Sequence, residues 1–300
     1  MPAAEPPAAP EPLPATRPKV LYVMGAGRSG STILGITLGN CEGIFYAGEM
    51  DKWLRRSGKP PLGGFERERF WGEVRENVDL SPELAGKAAR SLEQTSAPFR
   101  PGKWRGQRRL RRPYREFAEQ LYRAVAQVAG ATHVVDTSHF PRRARELQKL
   151  EGIDLYLLFA VRDPQSVIAS WNREDVVEPR FQPSRTNVYL WVTYLLSLVV
   201  FLRHPRERRL LVRHEQFVAD PRAVLRDIFD CVGSPSGMPD FDALQTGVPF
   251  QGNRVARSEV VSLNGRPSGA KSFSLLTAVA QLPWQLVFAR LRPRAGAARR

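Results

Sequence analysis

Residues 25–32 read GAGRSGST and directly follow the apolar run VLYVM. Their spacing is that of the phosphate-binding loop G-x-x-x-x-G-K-[ST], with a threonine at the last position. Glycines let the backbone approach an anion, and the start of the helix that follows offers free N–H groups. The lysine position holds Ser31, and the nearest cation is Arg28 inside the loop. The segment therefore predicts an anion site in which an arginine replaces the usual lysine.

The loop contains several candidate ligands for that anion. Backbone N–H groups, hydroxyls and a guanidinium all donate hydrogen bonds to phosphate or sulfate oxygens. The candidates are Gly27, Arg28, Ser29, Gly30, Ser31 and Thr32. A P-loop NTPase also needs the missing lysine on its phosphates, Mg²⁺ on the Ser/Thr hydroxyl and an acidic residue near the metal. Asp136 in HVVD could take the acidic role, but the missing lysine argues against a kinase or an ATPase.

A second candidate segment, LLFAVRDPQSVIASWNRE, places an arginine where an apolar run ends and a helix begins. Arg162 ends the run, and Ser170 follows it by eight residues, just over two helical turns. This spacing brings the two side chains together only if Arg162 folds back over the helix. Arg173, one turn beyond Ser170, could add charge. A helix start with a solvated arginine explains the same residues without a ligand.

The elements that must position these residues alternate between strand and helix. Short continuous apolar runs predict strands buried on both faces of a parallel sheet. The predicted strands are KVLYVMG, THVVDTS, IDLYLLFAVRD and RRLLVRHE, and the helices that follow them are residues 29–38, residues 141–150, PQSVIASWNRE and DPRAVLRDIFDCVG. The alternation predicts an α/β fold, a P-loop-like doubly wound and mostly parallel sheet with helices on both faces. Ligands of such sheets bind at the carboxyl ends of the strands, where the candidate segments fall.

The chain is predicted to form one α/β domain over residues 19–290. Residues 1–18 are rich in Pro and Ala, lack the features of a signal peptide and predict a disordered tail. Residues 54–114 interrupt the alternation and predict a helical insertion that covers the site, and residues 291–300 form a basic tail. The apolar stretch Val188–Leu202 is shorter than the ~20 residues of a membrane span and predicts a buried helix.

The charge of the chain favours an anionic partner. It carries 45 Lys+Arg against 30 Asp+Glu, a net charge of +15, although a coding bias toward arginine explains part of this excess. Residues 100–115 contain eight basic residues interleaved with Trp104 and Tyr114. A solvated helix and loop, a patch for an anionic acceptor or membrane surface, and a nucleic-acid patch all explain this run. Nucleic acid is the weakest of the three because no nucleic-acid-binding framework is recognisable. The basic tail at residues 291–300 is compatible with peripheral membrane contact.

The two cysteines, Cys41 and Cys231, are far apart and lie in no metal-binding spacing. The sequence therefore predicts neither a disulfide framework nor a structural zinc site, and a reducing, cytoplasmic environment.

Three segments together resemble a known family: GRSGST after a strand, YAGE about twenty residues later, and AVRDPQSVIAS. They are similar to the sulfotransferases that use 3'-phosphoadenosine 5'-phosphosulfate (PAPS), in particular the bacterial and tyrosylprotein-like branch with arginine in the phosphosulfate loop. The resemblance extends over residues 19–257. It implies that the loop binds the 5'-phosphosulfate, that Arg162 and Ser170 clamp the 3'-phosphate, and that no metal is required. The acceptor it implies is a hydroxyl of a carbohydrate, glycolipid, phenolic metabolite or tyrosine.

The resemblance also assigns catalytic roles. The GE motif of the family places its general base at Glu49, and Asp51 is a weaker candidate. Relatives commonly show D-S-S-K-x-P, whereas this chain has His139 at the lysine position. A histidinium there could stabilise charge, and a neutral imidazole could donate one hydrogen bond. His139 could equally fill space, with Arg142 or Arg143 supplying the charge.

The segment PFQGNRVARS resembles the C-terminal GN-x-x-R segment that closes over the nucleotide in this family, which adds Gly252, Asn253 and Arg257. Two other functions stay open at this point. One is a P-loop kinase that uses ATP and Mg²⁺ on a small molecule. The other is a basic module that binds nucleic acid or anionic lipid without catalysis.

Overall fold

The computed structural model describes residues 17–61, 63–85, 92, 104–171, 183–263 and 274–291. Its central sheet has five parallel strands in the order β2-β3-β1-β4-β5. They are β1 (Lys19–Gly25), β2 (Ile44–Gly48), β3 (His133–His139), β4 (Asp154–Val161) and β5 (Arg209–Arg213). A short antiparallel pair is formed by β6 (Leu244–Gln245) and β7 (Val260–Val261).

Helices surround the sheet. They are α1 (Ser31–Gly39), α2 (Trp53–Arg56), α3 (Phe65–Glu76), α4 (Trp104–Ala129), α5 (Pro141–Leu147), α6 (Pro164–Trp171), α7 (Pro183–Leu202), α8 (His214–Ala219), α9 (Pro221–Val232) and α10 (Leu275–Arg290). Short 3₁₀ helices are formed by Met50–Lys52, Pro82–Ala85, Arg206–Arg208 and Arg254–Arg257. The parallel sheet with its helices confirms the predicted α/β, P-loop-like fold.

The side chains of β1 explain why helices cover both faces of the sheet. Val20, Tyr22 and Met24 belong to one hydrophobic core, and Leu21 and Val23 belong to another. Successive strand residues point to opposite faces, so a strand that is apolar at every position needs cover on both. Helices α1, α8 and α9 pack on the face of Leu21, and α3, α4, α5, α7 and α10 pack on the face of Tyr22.

The loop after β1 lies at the switch point of the sheet. From β1 the chain builds β2 and β3 on one side and then β4 and β5 on the other. Open α/β sheets bind ligands at this point. Gly30, which precedes α1, has a left-handed backbone with φ of 87°, and no side chain caps the start of the helix. The first N–H groups of α1 therefore face the loop without a capping side chain.

Two helices differ from the expectation. The stretch Val188–Leu202 forms most of α7, but only one face of it is buried, because Leu190 and Tyr194 lie in the core while Val188 and Leu195 are exposed. Among the described residues, α7 is the one helix that is long and apolar enough to cross a membrane. The sequence analysis did not predict α10. The N-terminal tail to residue 16, residues 100–103 and the C-terminal tail after residue 291 lie outside the described residues.

Candidate active site

The five parallel strands end at one edge of the sheet, and each is followed by a polar residue that can do chemistry. In sheet order these are Glu49 after β2, His139 at the end of β3, Arg28 after β1, Arg162 after β4 and His214 after β5. Because the strands are parallel, their carboxyl ends bring these residues to the same edge. Four of them come from the candidate segments of the sequence, and His214 is new.

Side chains from α6 and α7 hold the loop after β1 in place. Arg28 has a left-handed backbone with φ of 67°, and its guanidinium carbon lies 5.0 Å from the centre of the Trp171 ring. The N–H of Gly27 donates to the hydroxyl of Tyr189 at 2.8 Å. Nη1 of Arg162 donates to the carbonyl of Arg28 at 3.2 Å. Three elements therefore fix the conformation of the loop before any ligand binds.

The donors of the loop fit an anion. Oγ of Ser29 is buried, and it has no hydrogen-bond partner among the described residues. A buried hydroxyl of this kind calls for an acceptor. A Cβ atom on Gly30 would lie 2.2 Å from Nδ1 of His214, so only a glycine leaves the backbone this close to its neighbours. Ser31 and Thr32 add buried hydroxyls at the start of α1.

A C-terminal segment closes against the end of β2 and the loop. The N–H of Phe250 donates to the carbonyl of Ala47 at 2.8 Å, and the N–H of Glu49 donates to the carbonyl of Gln251 at 2.7 Å. Nδ2 of Asn253 then donates to Oγ1 of Thr32 at 3.0 Å. The predicted Asn253 is therefore at the loop. Gly252 packs beside it, since a Cβ there would lie 2.6 Å from Cβ of Ala256, whereas Arg257 is exposed on the 3₁₀ helix that follows.

Glu49 forms an ion pair with a residue that the sequence analysis missed. The 3₁₀ helix Met50–Lys52 begins directly after Glu49, and its geometry returns Nζ of Lys52 to Oε2 of Glu49. The side chain of Glu49 is 8% exposed and that of Lys52 is 20% exposed, so a second molecule can reach both. Asp51, between them, is fully buried, and its N–H donates to Oγ of Ser138 at 2.9 Å. Burial raises the pKa of Asp51 to about 7, but its position keeps it from an acceptor hydroxyl.

His139 ends β3 next to this pair. Its backbone is left-handed with φ of 56°, and its ring lies 4.3 Å from the ring of Phe140, centre to centre. Burial lowers the pKa of His139, and the carboxylate of Glu49 opposes that shift in part. The imidazole is therefore neutral at neutral pH. Of the two ionic forms considered from the sequence, the geometry favours the neutral hydrogen-bond donor over the histidinium.

A buried network beneath the site occupies Asp136 and Arg143. Oδ2 of Asp136 accepts from the hydroxyl of Tyr122 at 2.5 Å, and Oδ1 accepts from the N–H of Ser138 at 2.8 Å. Arg143 is fully buried, and its guanidinium donates to the hydroxyl of Tyr114 at 2.5 Å and lies 3.4 Å from Oδ2 of Asp136. Asp136 therefore anchors the end of β3, and these hydrogen bonds account for its buried carboxylate without a bound metal. Arg143 points inward, so it does not supply charge to the site in place of His139.

On the other side of the loop, Arg162 and His214 form a second group. Arg162 contacts the loop through the carbonyl of Arg28, and Ser170 is half-buried next to Trp171, the residue on which Arg28 stacks. Burial lowers the pKa of His214 to about 4, and the positive charge of Arg162 adds to the shift. Arg162 therefore lies at the second edge of the loop, whereas no described contact joins the side chain of Ser170 to Arg162 or to the loop. Arg173 lies outside the described residues.

Sequence reasoning missed four residues of this site. His214 follows a predicted strand, so the rule used for the other strand ends would have found it. Lys52 needs the 3₁₀ geometry after Glu49, which the sequence does not specify. Trp171 and Tyr189 carry no motif and reach the loop only through the packing of α6 and α7. Within the described residues there is no group of three or more His, Cys, Asp or Glu side chains that could hold a metal ion.

Comparisons with known proteins agree on one family. A family model described as the sulfotransferase family matches residues 19–239. The sulfotransferase domain from the curacin biosynthetic pathway is 18% identical with a TM-score of 0.52, and the match covers 90% of this chain and 98% of that one. The sulfotransferase domain from the Synechococcus PCC 7002 olefin synthase is 19% identical with a TM-score of 0.54, and the match covers 91% and 96%. At these sequence identities the two structures show a similar fold and nothing about activity. A search of curated proteins finds no significant match.

Proposed function

The chain belongs to the sulfotransferase family, and from this premise we propose that it transfers a sulfuryl group from PAPS to a hydroxyl acceptor. The family match supports a sulfuryl-transfer enzyme in general, and the choice of PAPS as the donor is the proposal. The observation that carries it is the loop after β1, where Arg28, the buried hydroxyl of Ser29 and the free start of α1 surround a place for an anion. This donor set suits a phosphosulfate and lacks the lysine of P-loop kinases.

Residues on both sides of the loop would hold the donor. Gly27, Arg28, Ser29, Gly30, Ser31 and Thr32 would bind the 5'-phosphosulfate through N–H groups, hydroxyls and the guanidinium. The guanidinium of Arg28 would also stabilise charge on the phosphosulfate during transfer. Asn253 supports this end, because it is hydrogen-bonded to Oγ1 of Thr32.

The 3'-phosphate would lie at the second group. Arg162 and Ser170 would bind it through charge-assisted hydrogen bonds. His214 beside Arg162 would exclude water from that edge in its neutral form.

PAPS supplies an activated sulfuryl group when bound, and the residues of this chain position it and handle the proton. Glu49 accepts the proton of the acceptor hydroxyl as that oxygen attacks. Nζ of Lys52 holds the carboxylate of Glu49 in position and supplies the positive charge that the family pattern places at residue 139. His139, neutral because it is buried, donates one hydrogen bond at the same place.

The proposal includes the class of acceptor and the place of the reaction. The acceptor is a hydroxyl of a carbohydrate, a glycolipid, a phenolic metabolite or a tyrosine. The reaction takes place in the cytoplasm, which the two free thiols of Cys41 and Cys231 support. Basic segments of the chain would allow peripheral contact with a membrane.

A thermal-shift titration tests the donor site. Adenosine 3',5'-bisphosphate and ADP are each added with Mg²⁺ and with EDTA. A ligand at about one hundred times its Kd adds roughly 2.7 kcal/mol to the free energy of unfolding, which is readily measured. We expect the bisphosphate to stabilise the protein equally in Mg²⁺ and in EDTA, and ADP to have a much smaller effect. The variant Arg28→Ala should lose the shift, whereas Arg112→Ala, which changes an exposed arginine on α4, should keep it.

Stabilisation by ADP that depends on Mg²⁺ would instead support a kinase. If the bisphosphate result is as expected, incubation with PAPS and one acceptor from each class would test the transfer itself.

A further inference from the structure

Exposed apolar side chains are concentrated on two neighbouring helices, and we call this surface the α7–α10 face. It holds ten of the thirteen exposed large hydrophobic residues in the described part of the chain. They are Val188, Trp191, Leu195, Val199 and Leu202 on α7, and Leu275, Leu276, Val279, Leu282 and Leu286 on α10. Isolated exposed apolar residues are ordinary, but a contiguous group marks a surface that contacts something else.

The spacing of these residues makes a continuous stripe on each helix. On α7 they recur every three or four residues from Val188 to Leu202, and on α10 they do so from Leu276 to Leu286, with Leu275 directly before. Residues at this spacing lie on one face of a helix. The two stripes are adjacent, because Nε1 of Trp191 donates to the carbonyl of Ala280 at 2.8 Å.

The contact between α7 and α10 combines hydrogen-bonded polar groups with aromatic packing. Nδ2 of Asn187 donates to Oγ1 of Thr277 at 3.1 Å, and Nε2 of Gln281 donates to Oδ1 of Asn187 at 2.9 Å. All three side chains are buried. Tyr194 also packs edge to face on Phe288 with 5.1 Å between ring centres, and Trp191 packs on Trp284 at 5.2 Å. The two helices are therefore joined without the exposed aliphatic side chains, which are left to contact a partner.

The charges around the face select the partner. The described segments that form the face, residues 184–206 and 274–291, contain four Arg and no Asp or Glu. Arg185, Arg203 and Arg290 are exposed at the ends of the two helices. A second copy of the chain docked here by two-fold symmetry would bring these like charges together. An anionic lipid surface complements them.

From these observations we infer that the α7–α10 face is a membrane-docking surface that inserts its aliphatic side chains into one leaflet of an anionic bilayer. The helices lie in the interface and do not cross the bilayer, because the other side of α7 packs on the sheet through Tyr194 and Phe159. The stripe begins at Val188, beside the residue whose hydroxyl accepts from Gly27 in the loop. Docking therefore places the candidate active site at the membrane surface.

Vesicle co-sedimentation of the full chain tests this inference without any donor or acceptor, so its outcome is independent of the proposed function. The protein is mixed with vesicles of phosphatidylcholine alone or of phosphatidylcholine with phosphatidylglycerol. We expect binding to the anionic vesicles that weakens but persists in high salt, because both charge and apolar insertion contribute.

Two variants, one on the α7–α10 face and one outside it, test whether this face is the part of the protein that binds the vesicles. The double variant Leu282→Asp with Leu286→Asp should lower the vesicle partition coefficient roughly tenfold or more, since carboxylates would enter the apolar part of the leaflet. Phe65→Asp changes an even more exposed apolar residue on α3, outside the face, and should leave binding unchanged. Circular dichroism melting checks that each variant folds.

Three results would overturn the inference. The first is the absence of vesicle binding by the wild-type chain. The second is equal binding by the double variant and the wild type. The third is a wild-type dimer in solution that the double variant dissociates while vesicles bind neither protein, since the face would then join two copies of the chain.

Discussion

Nζ of Lys52 forms an ion pair with Oε2 of Glu49 at the carboxyl end of β2, so a positive charge lies directly beside the proposed general base. The pair arises because a 3₁₀ helix starts directly after Glu49 and brings the third residue back beside it. In the proposed mechanism Arg28 takes the place of the loop lysine, and Lys52 supplies the charge that the family pattern places at residue 139.

Glu49→Gln should lower kcat by about 10² to 10⁴, because the amide cannot take the acceptor proton. The Kd for adenosine 3',5'-bisphosphate should not change, since Glu49 lies at the acceptor side of the loop. Steady-state kinetics and a binding titration measure the two effects separately. Glu42→Gln, an exposed change just before β2, is the control and should leave kcat intact. An unchanged kcat in Glu49→Gln would remove Glu49 as the base.

Lys52→Met should lower kcat by roughly 10², the usual effect of removing a group that stabilises developing charge. Lys52→Arg keeps the charge and should recover part of the loss. The double variant with Glu49→Gln should lose much less than the product of the two single effects, because the two side chains act as a unit. Losses that multiply fully in the double variant would show that Lys52 acts apart from Glu49.

Arg162→Ala should weaken the binding of adenosine 3',5'-bisphosphate much more than that of ADP. The expected loss of selectivity is about 10- to 100-fold, as for a charge-assisted hydrogen bond. Because Nη1 of Arg162 also supports the loop carbonyl of Arg28, a smaller loss common to both nucleotides is expected as well. Calorimetric titrations with the two nucleotides measure both parts. An equal loss for the two nucleotides would contradict the placement of the 3'-phosphate at Arg162.

Gly30→Ala should destabilise the protein by about 1–3 kcal/mol more than Gly247→Ala. Both glycines have positive φ, 87° and 68°, but a Cβ at Gly30 meets His214 at 2.2 Å, whereas at Gly247 nothing lies within 4 Å. Urea unfolding of the two variants therefore separates the steric contact from the backbone effect. Adding His214→Ala to Gly30→Ala should restore part of the difference. If Gly30→Ala and Gly247→Ala lose the same stability, His214 does not pack on the loop in solution.

The contribution of His214 to the free energy of unfolding should fall as the pH is lowered from about 6.5 to about 4. Burial lowers the pKa of His214 from 6.5 to about 4, so in this range the unfolded chain binds a proton that the folded chain does not. The pKa values of His133, His139 and His204 shift in the same direction and add to the trend. Asp51, whose pKa burial raises to about 7, contributes with the opposite sign in this range. The quantity to compare is therefore the free energy of unfolding of wild type minus that of His214→Asn, which should fall as the pH is lowered. Urea unfolding of both proteins at several pH values measures this difference. An identical slope in wild type and variant would show that His214 titrates normally.

The strand ends of the site were predictable because their sequence signal is local. The apolar run KVLYVMG is β1 from its first residue to its last, and β3 and β4 end within a residue or two of the runs that predicted them. Once parallel strands are assigned, the rule that their carboxyl ends share one edge brings Arg28, Arg162 and His139 together. The surface that α10 adds was not predictable in this way. Its apolar residues face outward, and Pro283 interrupts its sequence pattern.

Long-range packing sets the contacts that the sequence could not specify. Tyr189 binds Gly27 across 162 positions of the chain, and Asn253 binds Thr32 across 221. No local spacing encodes such pairs, and the motif match alone proposed Asn253. Lys52 shows a different limit, because it needed a 3₁₀ turn where the sequence analysis had no assignment.

The left-handed backbone conformations of Arg28 and His139 lower the stability of the folded chain. Each costs on the order of 1 kcal/mol relative to a glycine, which takes the same φ without strain. A selection for heat resistance alone would therefore favour Arg28→Gly and His139→Gly, because each relieves this backbone strain. The same substitutions would remove the guanidinium and the imidazole from the edge of the sheet. Thermostable variants of this protein should be selected for activity at each round, because both of these substitutions lie in the candidate active site.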